Sequence, residues 1–194
     1  MFCDLDSERF DPMFPTLSAH AIRICRRQSL KLFLDCEFTR LNKDTKLISL
    51  ALVAESGQEF YIELVDTYGI TDCSEFVIEH VLPQLNPSLH GQTFAEAQAS
   101  LNGFLACFTE MVEICTDAPD WDWDFFCDLA YVDHRRPAHV MNRPTNLTTL
   151  FSKVNTDTLH DVELPDLPHH ALLDARILAL LYKDLASALY PNID

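Results

Sequence analysis

Three strands in succession are predicted by the pattern of apolar and polar residues that begins at Lys31. The runs 31–35 and 47–54 have almost continuously apolar centres, which is typical of buried strands. The run 59–64 predicts a third strand, and Gly57 supplies a turn before it. This order predicts a three-strand meander.

Two helices are predicted after the meander, each opened by a polar residue with an acid three positions later. The first covers residues 72–82, where Asp72 opens the helix and Pro83 stops it. The second covers residues 93–108 and is opened by Thr93.

The rest of the chain continues with shorter elements. We predict a strand at 112–115, helices at 121–131, 146–154 and 170–189, and a loop at 155–168. A meander followed by alternating helices and strands predicts an α/β domain with a mixed sheet. Residues 1–30 are predicted to be an N-terminal extension, and residues 31–194 the domain itself.

Composition sets the broad class of protein. The chain has 194 residues, of which 48% are hydrophobic, so it can bury a core. No apolar run is long enough to cross a bilayer, and the first residues lack the features of a signal peptide. The seven cysteines contain no Cys-x-x-Cys pair, which argues against a zinc ribbon or redox motif. We therefore expect a cytoplasmic protein with no membrane partner.

The formal net charge of −16 limits how the chain can bind nucleic acid. Proteins that coat long nucleic acids neutralise phosphates with Lys and Arg, and this charge argues against that mode. It is compatible with an enzyme that binds only the end of a nucleic-acid strand, where metal ions neutralise phosphates and carboxylates together.

Asp35 and Glu37 are the first candidate metal ligands. Positions two apart in a strand point to the same face, so both carboxylates project together from the end of an apolar strand. Oxygen ligands of this kind suit Mg²⁺. Taken alone, the pair is more often two solvated acids at a strand end.

Four acids crowd the junction between the predicted strand at 112–115 and the helix that follows. Capping and the helix dipole explain one or two acids at such a position. Four acids beside two tryptophans exceed what a cap needs. They are Asp117, Asp120, Asp122 and Asp124.

His169 and Asp174 lie at the start of the last predicted helix. Asp174 is surrounded in sequence by apolar residues, and a carboxylate on a buried face needs a partner or a metal. The alternative is that Asp174 pairs with Arg176 or faces solvent.

Together, the three segments resemble the DEDDh family of 3′–5′ exonucleases, which has a ribonuclease H-like fold. The matching sequences are Leu34-Asp-Cys-Glu-Phe-Thr39, Asp122-Trp-Asp-Phe-Phe126 and His169-His-Ala-Leu-Leu-Asp-Ala175. They span residues 34–175 in the family's order. Asp122-Trp123 is similar to a branch that includes mycobacterial exoribonucleases.

The resemblance implies a role for each residue. Asp35 would bridge two Mg²⁺ or Mn²⁺ ions, Glu37 and Asp174 would complete one site, and Asp122 would hold the other. His169 would act as the general base.

Two of the candidate residues each have an alternative nearby in the sequence. The register of the family motif decides between them. Asp124 competes with Asp122, and the two phenylalanines that follow match the family's spacing from Asp122. His170 competes with His169, but His170 fills the variable position of the His-x-Ala-Leu motif.

The resemblance also implies a substrate. Phe38 and Thr39 would line the pocket for the terminal nucleotide, where an aromatic face can stack on any base. We expect a 3′–5′ exonuclease, with RNA favoured, that acts on single-stranded or 3′-overhanging ends and releases nucleoside 5′-monophosphates. The alternatives are a DNA proofreading or repair exonuclease and a catalytically silent domain on the same fold. A homodimer is expected by analogy with the family.

Overall fold

A mixed six-stranded sheet forms the centre of the protein. A computed structural model of the chain describes residues 29–149 and 168–189. The strand order is β4-β3-β2-β1-β5-β6. The strands are β1 Leu30–Phe38, β2 Leu47–Ala54, β3 Glu59–Leu64, β4 Gly91–Gln92, β5 Val112–Thr116 and β6 Thr145–Asn146.

The predicted meander is confirmed, because β1 pairs antiparallel with β2, and β2 with β3. Strands β2 and β3 have the predicted bounds. Strand β1 runs further than the predicted 31–35, since Asp35 and Glu37 continue the ladder opposite Ala51 and Ser49. Gly57 has a φ of 95°, which is the left-handed conformation that a tight hairpin turn requires.

Strand β5 lies parallel to β1, as expected for a strand reached through helices. The carboxyl ends of these two parallel strands therefore meet at one edge of the sheet. Strands β4 and β6 have two residues each, too few to produce a hydrophobic period in the sequence. Both pair parallel to their neighbours.

The predicted helix at 72–82 is irregular. A 3₁₀ turn covers Ile70–Asp72, a π-helical turn covers Val77–Val81, and another 3₁₀ turn covers Leu82–Gln84. The prediction that Asp72 opens the helix is wrong, because its carboxylate accepts the Gly69 N–H at 2.8 Å in the preceding turn. Pro83 lies inside the last turn and does not end the segment.

Four α-helices complete the described part of the chain. They are α1 Pro87–His90, α2 Phe94–Leu105, α3 Pro119–Ala130 and α4 Ala171–Leu189. Thr93 caps α2 with Glu96 as predicted, and the Glu96 carboxylate accepts the Thr93 N–H at 2.9 Å. Most of the predicted helix at 146–154, residues 155–167 of the predicted loop and residues 1–28 of the predicted extension lie outside the described residues.

The two faces of β1 pack against different helices. Leu32 and Leu34 belong to the main core with buried side chains of α2 and α3. Phe33 points to the other face, where it packs near Leu178 of α4. Because side chains alternate along a strand, Asp35 continues the α4 face. The fold therefore directs the first candidate carboxylates towards the last helix.

No helix in the described ranges is long and apolar enough to cross a membrane.

Candidate metal centre

Two clusters of carboxylates meet at the carboxyl ends of β1 and β5, and they share Asp35. The first joins Asp35 with Glu37 and Asp174, and the second joins Asp35 with Asp117 and Asp122. Within each cluster, one ligand atom from every residue lies within 4.8 Å of the others. The structure thus brings together the four acids that the sequence motifs selected.

Asp174 reaches the first cluster from the first turn of α4. Its carboxylate accepts the backbone N–H of His170 at 3.1 Å, which anchors the start of the helix. The side chain is buried, and its second oxygen, Oδ1, has no hydrogen-bond partner among the described residues. Arg176 instead forms two hydrogen bonds with Glu59, at 2.7 and 2.6 Å. The alternative in which Asp174 pairs with Arg176 is therefore wrong.

Asp122 reaches the second cluster from the first turn of α3. Its side chain is only 1% exposed, and the hydroxyl group of Thr116 donates a hydrogen bond to its carboxylate. The Cys36 thiol, on the face of β1 opposite to Asp35, lies beside the same carboxylate. Asp124 is exposed and belongs to neither cluster. The difference in burial therefore favours Asp122 over Asp124 as the candidate ligand, in agreement with the register of the family motif.

Asp117 is a cluster member that sequence reasoning set aside. It comes directly after β5, so the end of that strand places it beside Asp35. The signal in the sequence was its position directly after a predicted strand, because the carboxyl ends of parallel strands meet at one edge of a sheet.

Burial and mutual repulsion raise the pKa values of these carboxyl groups. The pKa of Asp35 lies well above its ordinary value because the group is buried and faces Asp122 and Glu37. Burial, with Asp174 nearby, raises the pKa of Glu37 to about 8. Burial likewise raises the pKa of Asp122 to about 7 and that of Asp174 to about 6. A bound cation would favour the ionised forms of these groups.

The donor set fits divalent cations of the hard type. None of the ion pairs within 29–149 and 168–189 involves a residue of the two clusters. The ligand atoms are all carboxylate oxygens, and the buried Oδ1 of Asp174 lacks a partner in the described part of the chain. Oxygen donors of this kind are those that Mg²⁺ and Mn²⁺ prefer.

The two neighbouring histidines have different surroundings. His169 is exposed, and its ring meets the ring of Phe76 edge-on, with 4.8 Å between centroids. His170 is half-buried and stacks on Tyr61 at 4.9 Å. Burial lowers the pKa of His170. The ring of His170 is therefore engaged in packing, whereas that of His169 is accessible.

Phe38 and Thr39 follow Glu37 on the chain. Phe38 is half-buried and stacks on Trp121 and Phe125, with centroid distances of 5.6 and 5.7 Å. Thr39 is fully buried, and its hydroxyl oxygen accepts the N–H of Lys46 at 3.0 Å. The side chain of Thr39 thus has no surface with which to line a nucleotide pocket, contrary to the interpretation of the sequence.

Comparisons with known proteins bear on the fold. No protein-family model matches the chain, and no curated protein matches it by sequence. Among solved structures, cell-death related nuclease 4 is similar, with 18% identity and a TM-score of 0.60 over 82% of this chain and 64% of that chain. The zinc-bound complex of E. coli exonuclease I with single-stranded DNA has 15% identity and a TM-score of 0.58 over 85% of this chain and 42% of that chain. Exonuclease I from Methylocaldum szegediense has 12% identity and a TM-score of 0.56, over 84% and 41% respectively.

These likenesses concern architecture, because the identities are low and the chain spans less than two thirds of each of these proteins. The chain has the ribonuclease H-like α/β fold that these nucleases share and that the sequence motifs predicted.

Proposed function

We propose that the chain is a metal-dependent 3′–5′ exonuclease that releases nucleoside 5′-monophosphates. The observation that carries this proposal is the pair of carboxylate clusters that share Asp35. Fold alone does not determine activity, whereas two adjacent oxygen-ligand clusters at the strand ends are suited to phosphodiester hydrolysis.

In this proposal, Asp35 would be a ligand of both ions. Glu37 and Asp174 would hold one ion, and Asp122, with Asp117 beside it, would hold the other. When bound, the two divalent ions would supply the positive charge that phosphodiester hydrolysis needs at the attacking and leaving oxygens. The buried carboxylates fix where that charge lies.

His169 is the proposed general base. Its accessible ring can take a proton from the attacking water, which a histidine does well near neutral pH. His170 is a poorer candidate because its ring is stacked on Tyr61 and its Nδ1 is buried.

The proposed substrate is a single-stranded or 3′-overhanging end, with RNA preferred. One structural neighbour is an exonuclease in complex with single-stranded DNA, which supports a single-stranded ligand and keeps DNA as the alternative. Phe38, in its stack with Trp121, is the proposed aromatic surface for the terminal base. A domain over residues 31–194, a homodimer and a cytoplasmic location are part of the same proposal.

The test is degradation of matched RNA and DNA oligonucleotides, labelled at either the 5′ or the 3′ end, in Mg²⁺, Mn²⁺ or EDTA. We expect 3′-labelled substrates to release labelled mononucleotide first, and EDTA to abolish the reaction. Asp35→Asn should be inactive, whereas Asp44→Asn, a change at an exposed loop residue, should be as active as the wild type. Full activity in EDTA, or normal turnover by Asp35→Asn, would overturn the proposal.

A further inference from the structure

The turn that carries His169 is held by the side-chain amide of Gln84. The Nε2 group of Gln84 donates to the carbonyl oxygen of Pro168 at 2.6 Å and approaches that of His169 at 3.2 Å. The same Nε2 donates to the carbonyl oxygen of His80 at 2.6 Å. One amide therefore ties the irregular segment after β3 to a turn more than eighty positions later in the sequence.

The backbone of this turn needs such support. His169 has a φ of 54°, in the left-handed region that residues with a side chain occupy at a cost. Such conformations persist where surrounding contacts fix them. The carbonyl groups on both sides of this strained backbone, those of Pro168 and His169, are the ones that Gln84 contacts.

The ring of His169 also contacts the segment that carries Gln84. Phe76 meets it edge-on at 4.8 Å, and Phe76 itself packs against His80, also at 4.8 Å. The buried side chains Val77 and Val81 anchor this segment against Ile48 of β2. The segment thus connects the sheet with both the ring and the backbone of His169.

The residue after His169 is fixed from another direction. The N–H group of His170 donates to Asp174, and its ring stacks on Tyr61 of β3. The turn is thereby fastened at His170 to the metal centre, while Gln84 fastens it at Pro168 and His169. Because Pro168 and His170 on either side of His169 are both held, few orientations are open to the ring of His169.

We propose that Gln84 is a positioning residue that sets the orientation of His169 for proton transfer. The inference rests on the proposed nuclease function, in which His169 is the base. Gln84 belongs to neither carboxylate cluster, and its three hydrogen bonds go to backbone carbonyl groups, so we expect its removal to act on the base rather than on metal binding. Small displacements of a positioned group reduce turnover strongly, because proton transfer requires short and aligned contacts.

The first experiment measures kcat and KM for Gln84→Met, which keeps the side-chain length and removes the donor. We expect kcat to fall by about tenfold, with KM and the Mg²⁺ concentration at half-maximal activity unchanged. Gln84→Glu should be worse, because a carboxylate would face the carbonyl oxygens of His80, Pro168 and His169. Gln98→Met is the matched control, since Gln98 donates to the Tyr131 carbonyl at 3.2 Å between α2 and α3. Equal kcat values for Gln84→Met and the wild type would overturn the proposal.

The second experiment separates a positioning role from a general loss of structure. In the His169→Ala background, Gln84→Met should cause no further loss of kcat, because the group that it orients is gone. An equally large loss in both backgrounds would mean that Gln84 acts through something other than His169, and would overturn the proposal.

The third measurement does not depend on activity. Hydrogen exchange of the amides of residues 169–171 should be several-fold faster in Gln84→Met than in the wild type, and unchanged in Gln98→Met. Faster exchange in a protein without nuclease activity would overturn the proposed function but not the link between Gln84 and the turn. Unchanged exchange together with unchanged kcat in an active nuclease would overturn the role of Gln84 alone.

Discussion

The hydroxyl group of Thr116, the last residue of β5, donates a hydrogen bond to the buried carboxylate of Asp122 in the first turn of α3. The same hydroxyl oxygen accepts the N–H of Ala118 at 3.0 Å. A single side chain therefore fixes both the junction between strand and helix and the direction of a candidate ligand.

Thr116→Val keeps the shape of this side chain and removes its hydroxyl group. We expect the variant to lose about 1–3 kcal/mol of unfolding free energy, because a buried carboxylate and a backbone N–H lose their partner. Urea unfolding in EDTA measures this change. Thr109→Val, at an exposed position, should stay within about 0.5 kcal/mol of the wild type. Equal stability of Thr116→Val and the wild type would contradict the assignment of this hydrogen bond.

Stability without metal should fall as the pH rises. The folded protein holds the pKa of Glu37 near 8 and that of Asp122 near 7, both above the ordinary values of 4.5 and 3.8. The folded state therefore favours the protonated forms. The resulting stabilisation is fully present below pH 4 and is lost as the pH rises through 7 and 8.

Thermal unfolding in EDTA at several pH values between 5 and 8.5 tests this dependence. We expect Tm to decrease over this interval. Mg²⁺ should raise Tm more at pH 8 than at pH 5.5, since bound ions favour the ionised carboxylates. A Tm in EDTA that rises steadily from pH 5 to 8.5 would show that these groups are not buried together as described.

Asp174→Asn should separate activity from stability. The amide keeps an oxygen that can accept the N–H of His170, but it removes one negative charge from the first cluster. We expect a loss of activity of about 100-fold or more, because a charged metal ligand is missing. At pH 8 in EDTA, the variant should unfold at a higher temperature than the wild type, since repulsion in the cluster is reduced. A lower Tm would mean that the carboxylate is stabilised by contacts other than a metal ion.

His169→Ala and His170→Ala should differ in kind. His169 is exposed, so its removal should leave unfolding free energy almost unchanged while kcat falls by about 10²–10⁴-fold. His170 stacks on Tyr61, so its removal should destabilise the protein by about 1–2 kcal/mol. Kinetics and urea unfolding of both variants distinguish these outcomes. Reversed effects would assign the base to His170.

The sequence predicted the central strands because their patterns are set by burial. Strands β2 and β3 are flanked by other strands and by helices, so nearly every inward position is apolar. The last residues of β1 were missed because the apolar pattern stops at Asp35, although Glu37 still pairs with β2. The polar residues that shortened the prediction are those proposed to bind metal.

Other features depend on tertiary contacts that no local pattern records. Residues 72–82 were predicted as one helix, yet the carboxylate of Asp72 lies in a turn, where it contacts the N–H of Gly69 and the ammonium group of Lys46 at 2.6 Å. Strands β4 and β6 exist only as short partners of longer strands. Thr39 follows the catalytic-type motif in sequence, but the return of the chain through Lys46 buries it.

In the candidate site too, some residues could be predicted from the sequence and others could not. Motif register selected Asp122 over Asp124 before burial could be known, and the buried position of Asp122 agrees with that choice. Asp117 was not selected, because its nearness to Asp35 arises from the parallel pairing of β1 and β5 and not from sequence spacing. Gln84 had no signal at all, since its contacts with Pro168 join distant parts of the chain.

Membership of Asp35 in both clusters limits what mutagenesis can separate. Any substitution of Asp35 removes a ligand from both proposed ion sites at once, so its phenotype cannot be assigned to either. Glu37 and Asp122 each belong to one cluster only. Glu37→Gln and Asp122→Asn therefore each alter one proposed ion site and leave the ligands of the other unchanged. The double variant, compared with the two single variants, measures how far the two sites depend on each other.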